Sequence, residues 1–283
     1  MKKRLTVIAS IFAGLIVALL ALPPVFSGRI VLSQGLVLGD FTLRWYGLIL
    51  AAAVLIGYWV ARRNSWRFGI GKEEVDDVSF WLVLVAILSA RVYYVLSLFP
   101  YFAEHPAEIV KIWHGGLSIY GALIGGTLFL YLRSRRRIYS AGQLFDLVAL
   151  GLPLAQAFGR LGNFFNYEAF GLPTTLPWKM YVPPAFRPLQ FATYDFFHPT
   201  FLYEMIWNLI VFAVLWNLKG RVKHGVLAMS YLGLYSVGRF FIEPLRLDAS
   251  YVGNYHLDQL VAFSVAIAAM ISIFFVYSRS DRT

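Results

Sequence analysis

LVALGLPLAQAFGRLGNFFNYEAFG, residues 147–171, begins as a nearly uninterrupted apolar run and ends in an arginine, two asparagines and a glutamate framed by glycines. The first half reads as membrane-helix sequence, and the second half brings polar chemistry to the end of that helix. A charge at membrane depth costs at least about 2.5 kcal/mol on insertion scales, so Arg160 is expected to face a cavity and a partner rather than lipid.

The whole chain agrees with a membrane reading. Its 283 residues are 59% hydrophobic and only 14% charged, which excludes a soluble core wrapped in a polar shell. Apolar runs of roughly the 17 to 25 residues that cross a hydrocarbon layer recur eight times. They cover about 5–27, 44–61, 78–98, 117–132, 144–163, 200–217, 225–242 and 257–277, several of them short or polar at one end.

The basic residues orient these spans, because short cytoplasmic loops collect Lys and Arg. With the N-terminus inside, the inner ends hold Lys2, Lys3 and Arg4; Arg62, Arg63, Arg67 and Lys72; Arg133, Arg135, Arg136 and Arg137; Lys219, Arg221 and Lys223; and Arg279 and Arg282. These are 16 of the 25 Lys and Arg residues, so most of the net charge of +10 is a topology signal and not a nucleic-acid footprint. The same orientation leaves the C-terminus in the cytoplasm. Cysteine is absent, so the chain offers no disulfide, thiolate metal site or thiol nucleophile of its own. Any thiol chemistry uses a substrate's sulfur.

Three segments stand out from the spans. Residues 1–27 have a basic start and a long apolar core without a clear small-x-small cleavage site, which favours an uncleaved signal anchor over a secretory signal. Residues 99–116 carry a short amphipathic pattern with Ile109, Ile112 and Trp113 on one side, suited to lying in the interface. Residues 167–198 are rich in proline and aromatics, which argues against helix and for a small irregular or strand-containing cap.

Charged groups within or at the ends of spans make a short list: Arg91, Asp146, Arg160, Glu168, Glu204, Arg239, Glu243 and Arg246. Tyr235, Arg239 and Glu243 are spaced by four and form one helical stripe, which Pro244 ends. Pro199 suits the first turn of a helix, placing His198 at its start and Tyr203 and Glu204 within it. Glu204 has no basic residue in its own span before Lys219, so it is paired through space, protonated or in reach of water. The plainer readings are snorkelling for each arginine, interface belts for the aromatics Trp45, Tyr46, Trp113 and Trp178, and close helix packing for Gly121 and Gly125. Two arginines that each follow a glycine and precede an acid near the outer interface fit snorkelling poorly. Guanidinium forks recognise phosphate and stabilise the charge that grows as a phosphate leaves. The residues alone therefore reach a membrane-embedded site for a phosphorylated lipid, open to the outer face, and no particular reaction.

GRLGNFFNYEAFG (159–171) resembles the signature of the prolipoprotein diacylglyceryl transferases. RWYG (44–47), Arg91 in SARVYYV, WHGGLSIYGALIG (113–125), Asp146, HPTFLYE (198–204) and YSVGRFFIE (235–243) agree in order, so the resemblance runs from about residue 30 to the C-terminus. It implies an all-α polytopic protein of the bacterial cytoplasmic membrane: a seven-helix transmembrane core with a small extracytoplasmic head and a cavity open sideways to lipid. Residues 1–27 would be an extra hydrophobic segment, and 28–283 the transferase domain with 167–198 as its head.

The resemblance also implies the reaction: transfer of diacylglyceryl from phosphatidylglycerol to the lipobox cysteine in the signal peptide of a prolipoprotein, with glycerol phosphate released. Arg160 and Arg239 map onto the family's two essential arginines and are expected to hold the phosphate and favour the substrate thiolate. Glu168, Glu204 and Glu243 would orient them, and Tyr46, Asn163, Asn166 and Tyr235 would touch the headgroup. Arg91, Gly171, His198, Tyr203 and Arg246 complete the expected substrate site. No cofactor and no metal is implied. One departure matters: where many members carry a histidine considered as a base, this chain has Tyr120. Tyr120 is therefore a catalytic candidate whose role is either base or headgroup orientation. The competing class is a transporter or channel that binds an anionic solute through the same arginines.

Overall fold

The computed structural model describes residues 22–39, 41–247, 251–252 and 255–278. The chain is an all-α membrane protein. Among the described residues, seven helices have sixteen residues or more: α1 (Trp45–Asn64), α2 (Lys72–Ser97), α3 (Ile119–Ser134), α4 (Ala141–Asn166), α5 (Thr200–Leu218), α6 (Val226–Ile242) and α7 (Leu257–Ser278). They coincide with the last seven apolar runs. Those of α1, α2, α4, α5 and α7 are long and apolar enough to cross a membrane. At 1.5 Å per residue α3 and α6 reach only about 24 to 26 Å, short of a hydrocarbon core of about 30 Å. The first expected span, 5–27, lies outside the described residues as far as residue 21; residues 22–26 are helical.

Two compact units divide the chain. One contains the residues up to Ala53, Gln156–Ile210 and Leu234–Ile267; the other contains Val54–Ala155, Val211–Gly233 and the residues from Ala268 onwards.

In the second unit the glycines are packing devices. A Cβ at Gly121 would meet the Ser89 carbonyl oxygen and one at Gly125 the Ser89 hydroxyl, so α3 lies directly against the backbone of α2. Gly57 and Gly151 bring α1 and α4 together in the same way. Helix ends are capped by side chains, one distant and one local. The buried Asp146 carboxylate accepts from the Gly225 and Ala228 backbone N–H groups, each at 2.7 Å, and so closes the start of α6. Ser140 and Gln143 form a reciprocal capping box at the start of α4. Arginines of this unit are partly paired: Arg62 with Asp76 at 2.7 Å, and Arg133 with Glu74 at 2.8 Å and with Asp77.

The segment after α2 is less regular than its pattern suggested. A short helix at Phe99–Glu104 is followed by 3-10 turns at Pro106–Val110 and Ile112–His114. Pro106 interrupts what would otherwise continue as helix.

In the first unit, residues 167–198 hold the strand pair β3 (Met180–Tyr181) and β4 (Phe196–Phe197), together with 3-10 turns at Pro184–Phe186 and Leu189–Phe191. An antiparallel hairpin of β1 (Gly35–Leu38) and β2 (Phe41–Arg44) leads directly into α1. The head has its own core: Phe164, Phe170, Met180, Val182, Phe197 and Phe201 are buried together, with Val25 from the helical end before Gly28. Phe164 stacks on Phe201 at 5.3 Å between centroids, and Phe170 meets Phe197 edge-on at 5.0 Å. The phenylalanines of the 159–171 motif are therefore its seat.

Candidate active site

Arg160 lies in the last turns of α4, Arg239 in the last turn of α6, and Glu204 in the second turn of α5. Of the three, Arg239 lies within the last turn, where a helix C-terminus favours a cation. Pro244 ends α6, and the chain turns through a 3-10 segment, Glu243–Leu245, that delivers Arg246 to the same place.

Glu204 is the centre of the cluster. Its carboxylate, 3% exposed, pairs with Arg160, with Arg246 and, at 3.0 Å, with Arg239. Arg239 also pairs with buried Glu243 four residues on, and its guanidinium stands 3.9 Å from Asp258 in the first turn of α7. The Glu243 carboxylate is in turn 4.0 Å from Arg246. Of the three possibilities open for Glu204, pairing through space is the one realised. Snorkelling is excluded for Arg160, Arg239 and Arg246, whose heads meet buried acids instead of pointing away from them. Breaking such a buried pair typically costs about 3 to 5 kcal/mol, because it strands an uncompensated charge.

A cavity of about 490 Å³ opens beside this cluster. Arg160, Asn163, Glu168 and Arg246 line it with polar groups, and Phe170 and Pro188 with apolar ones. Asn163 accepts from Arg160 at 3.2 Å through its side-chain oxygen, and its carbonyl accepts from the Glu168 N–H at 3.0 Å. Asn166 donates to Glu168 at 3.3 Å. A concave space that mixes apolar wall with a few convergent charges suits an amphipathic ligand.

The loop carrying Glu168 is strained and fastened. Tyr167 and Ala169 have φ of 52° and 53°, the left-handed region that L residues enter at a cost on the order of 1 kcal/mol each. The Ala169 carbonyl accepts from the Thr200 hydroxyl at 2.6 Å and from the Phe201 N–H at 3.0 Å. The Tyr167 hydroxyl accepts from the Leu32 N–H at 2.8 Å, and burial raises its pKa and keeps it a phenol. Gly171 is the fixed point: its N–H donates to His198 O, and a Cβ there would collide with the Leu245 carbonyl and Thr200. The motif thus sits against the Arg246 segment with no room for a side chain. Gly162 serves Tyr46 likewise, since its missing Cβ leaves space for the phenol ring.

His198 and Tyr203 form a side arm. The Tyr203 hydroxyl accepts from the Trp178 indole at 2.7 Å and is 3.1 Å from His198 Nδ1. Burial lowers the pKa of His198, which leaves its imidazole neutral at pH 7. Tyr235 and Arg239 line a small second space with Glu204 and Asn208.

Two sequence candidates belong to the other unit. Arg91 is buried, and its guanidinium donates to the carbonyls of Glu108, Ile109, Gly115 and Gly116, so its donors hold the 108–116 segment in place. Tyr120 is 53% exposed, with its ring 6.2 Å from that of Tyr93. Sequence reasoning passed over Asp258, although an acid opening an otherwise apolar span was a visible signal. The indole N–H of Trp178, read from sequence as an interface aromatic, donates to the Tyr203 hydroxyl.

The profile of a family described as prolipoprotein diacylglyceryl transferase matches residues 35–275. Three relatives named phosphatidylglycerol–prolipoprotein diacylglyceryl transferase show how extensive the similarity is. The protein of Trichormus variabilis is 45% identical over 249 residues, covering 86% of this chain and 88% of its own. That of Thermotoga petrophila is 45% identical over 269 residues, 92% of each chain, and that of Thermotoga maritima 47% identical over 246 residues, 85% and 84%.

Proposed function

The chain belongs to the prolipoprotein diacylglyceryl transferase family, and on that premise we propose that it moves the diacylglyceryl group of phosphatidylglycerol onto the lipobox cysteine thiol of a prolipoprotein. The protein is a transferase acting in the first step of bacterial lipoprotein maturation. The observation that carries the mechanism is the convergence of Arg160, Arg239 and Arg246 on Glu204 beside the 490 Å³ cavity.

The chemistry follows from that arrangement. The substrate thiolate attacks the glycerol carbon that bears the phosphate ester, an S–C bond forms as the C–O bond breaks, and glycerol phosphate leaves with the electron pair. A free thiol has a pKa of about 8.5, and neighbouring guanidinium charge favours its thiolate. Arg160 and Arg246, on the cavity wall, fork onto the phosphate; Arg239, braced by Glu243 and Glu204, adds positive charge as the leaving group acquires its second negative charge. Asn163 and Glu168 meet the headgroup hydroxyls, with Asn166 steering Glu168. We assign Tyr46, Tyr235, His198 and Tyr203 further contacts with the bound substrates. The cavity faces the extracytoplasmic side of the bacterial cytoplasmic membrane, where signal peptides with a lipobox present their cysteine, and the C-terminus is cytoplasmic.

Purified protein in detergent, given phosphatidylglycerol and a lipobox peptide, is expected to add one diacylglyceryl mass to that peptide and none to its Cys→Ser version. No mass gain, or equal gain by the serine peptide, would overturn the reading. Because the chain has no cysteine, single cysteines report its orientation. One at Gly28 should react with an impermeant thiol reagent from outside and one at Arg135 should not; the opposite pattern would reverse the assigned faces.

A further inference from the structure

In the second unit, α1 ends in a rigid corner. After Asn64 the chain makes a 3-10 turn, Ser65–Phe68, closed by the Ser65 O to Ile70 N–H bond at 3.2 Å and tied to α4 by the Gln143 side chain, which donates to Phe68 O at 2.8 Å. Asn64 is buried; its amide donates to Val60 O at 2.7 Å and its side-chain oxygen accepts from Lys219 Nζ at 3.0 Å. The Lys219 ammonium lies over the Trp216 ring, and the Arg67 guanidinium over Trp66 at 4.4 Å. A Cβ added to Gly220 would stand 3.6 Å from Arg67 Nη1, so the guanidinium rests on the backbone next to Lys219.

Two cations are therefore held side by side at the end of two membrane-spanning helices. Among the described residues neither has a carboxylate within ion-pair distance, in contrast to Arg62 and Arg133 of the same unit. Burial and the Arg67 charge lower the Lys219 pKa to about 8, the mark of a cation lacking an anion. Trp66 and Trp216 are 67% and 40% exposed beside the pair, as aromatic rings at the headgroup level of a bilayer are.

We propose that the Asn64, Arg67 and Lys219 corner, walled by Trp66 and Trp216, binds the phosphate headgroup of an anionic membrane lipid that is held and not consumed. The phosphate sits between guanidinium and ammonium, and the indoles border its glycerol. Asn64 fixes Lys219 so that the two cations stay together in the absence of the anion. Phosphate is the shared chemistry of lipid and soluble esters; the exposed tryptophans assign it to lipid.

The test uses the full chain in detergent, stripped of lipid. Native mass spectrometry with phosphatidic acid and with phosphatidylcholine measures retention, and glycerol 3-phosphate and inorganic phosphate form the soluble arms. Lys219→Gln and Arg67→Gln should each lower phosphatidic acid retention about fivefold, the effect of one interfacial cation, with Lys219→Arg retaining it. Transfer activity in lipid-saturated micelles should be unchanged. A titration of isotopically methylated Lys219 should move to higher pH with phosphatidic acid and stay put with phosphatidylcholine; this measurement on the unmutated chain decides if a variant fails to fold. Equal retention by wild type and variants, an unmoved Lys219 titration, or equal protection by soluble phosphate would each overturn the lipid site.

Discussion

Arg160 and Glu204 meet as a buried ion pair between the end of α4 and the beginning of α5, and the same carboxylate also accepts Arg239 at 3.0 Å and Arg246. One acid thus organises three cations from three segments. Glu204→Gln keeps the shape and removes the charge. Transfer activity should fall at least about a hundredfold and stability by roughly 3 kcal/mol or more, as for other broken buried pairs. Activity and detergent unfolding measured together check this; wild-type turnover by the glutamine variant would remove Glu204 from the mechanism.

Forked recognition of phosphate requires a guanidinium. Arg160→Lys and Arg239→Lys should each lose about two orders of magnitude in turnover while still inserting, because an ammonium is a point charge. Near-normal rates for either variant at matched expression would exclude that arginine.

By the resemblance, Tyr120 takes the place of a histidine that would be a candidate base. A phenol with a pKa near 10 cannot accept a thiol proton near pH 7 unless it is strongly shifted. We expect the arginines to stabilise the thiolate, so that Tyr120 is not required as the base. Tyr120→Phe should then weaken transfer without abolishing it, and Tyr120→His should be tolerated. Complete loss in the Phe variant, rescued by His with a lower pH optimum, would make Tyr120 the base.

Gly171 touches Leu245, Thr200 and His198 so closely that a methyl group has no place. Gly171→Ala should destabilise the head by about 1 to 3 kcal/mol, the usual range for overpacking. Since the push is transmitted to Leu245, next to Arg246, activity should fall with it. Unchanged melting and unchanged transfer would show that the two segments separate freely.

Burial lowers the folded-state pKa of His198. Below the ordinary histidine value of about 6.5 the unfolded chain takes up a proton that the folded chain refuses, so stability should decline as pH falls from 7 towards 5. Unfolding midpoints across that range should slope less in His198→Asn. An identical slope would assign the acid sensitivity to other groups.

The helices were legible because each apolar run is bounded by glycine, proline or charge, and the stripe Tyr235, Arg239, Glu243 with its proline stop gives the end of α6 directly. Residues 167–198 were legible as non-helical for the same local reason. The pairing of Glu204 with three arginines was not. It joins residues 35 to 44 positions apart on different elements, and spacing carries no information on such contacts. Arg91 shows the converse: it shares with Arg160 the signature of charge in apolar sequence, yet its donors are used on the carbonyls of residues 108–116. Sequence gives the cost of a buried charge but not the identity of what neutralises it. Asp258 was visible as an acid opening an apolar span, but its place 3.9 Å from Arg239 was not.

The shared carboxylate also bears on how such a protein is made. A site with three guanidinium groups and no internal anion would be a cationic hole, and the spans carrying it would enter the bilayer at a cost of several kcal/mol for each charge. Here Arg239 travels on the same helix as the residues leading to Glu243, and Arg160 and Arg246 find Glu204 as soon as α5 joins α4 and α6. The charges can therefore be matched during biogenesis, before any lipid substrate is met, so that assembly of the helices does not have to wait for a ligand.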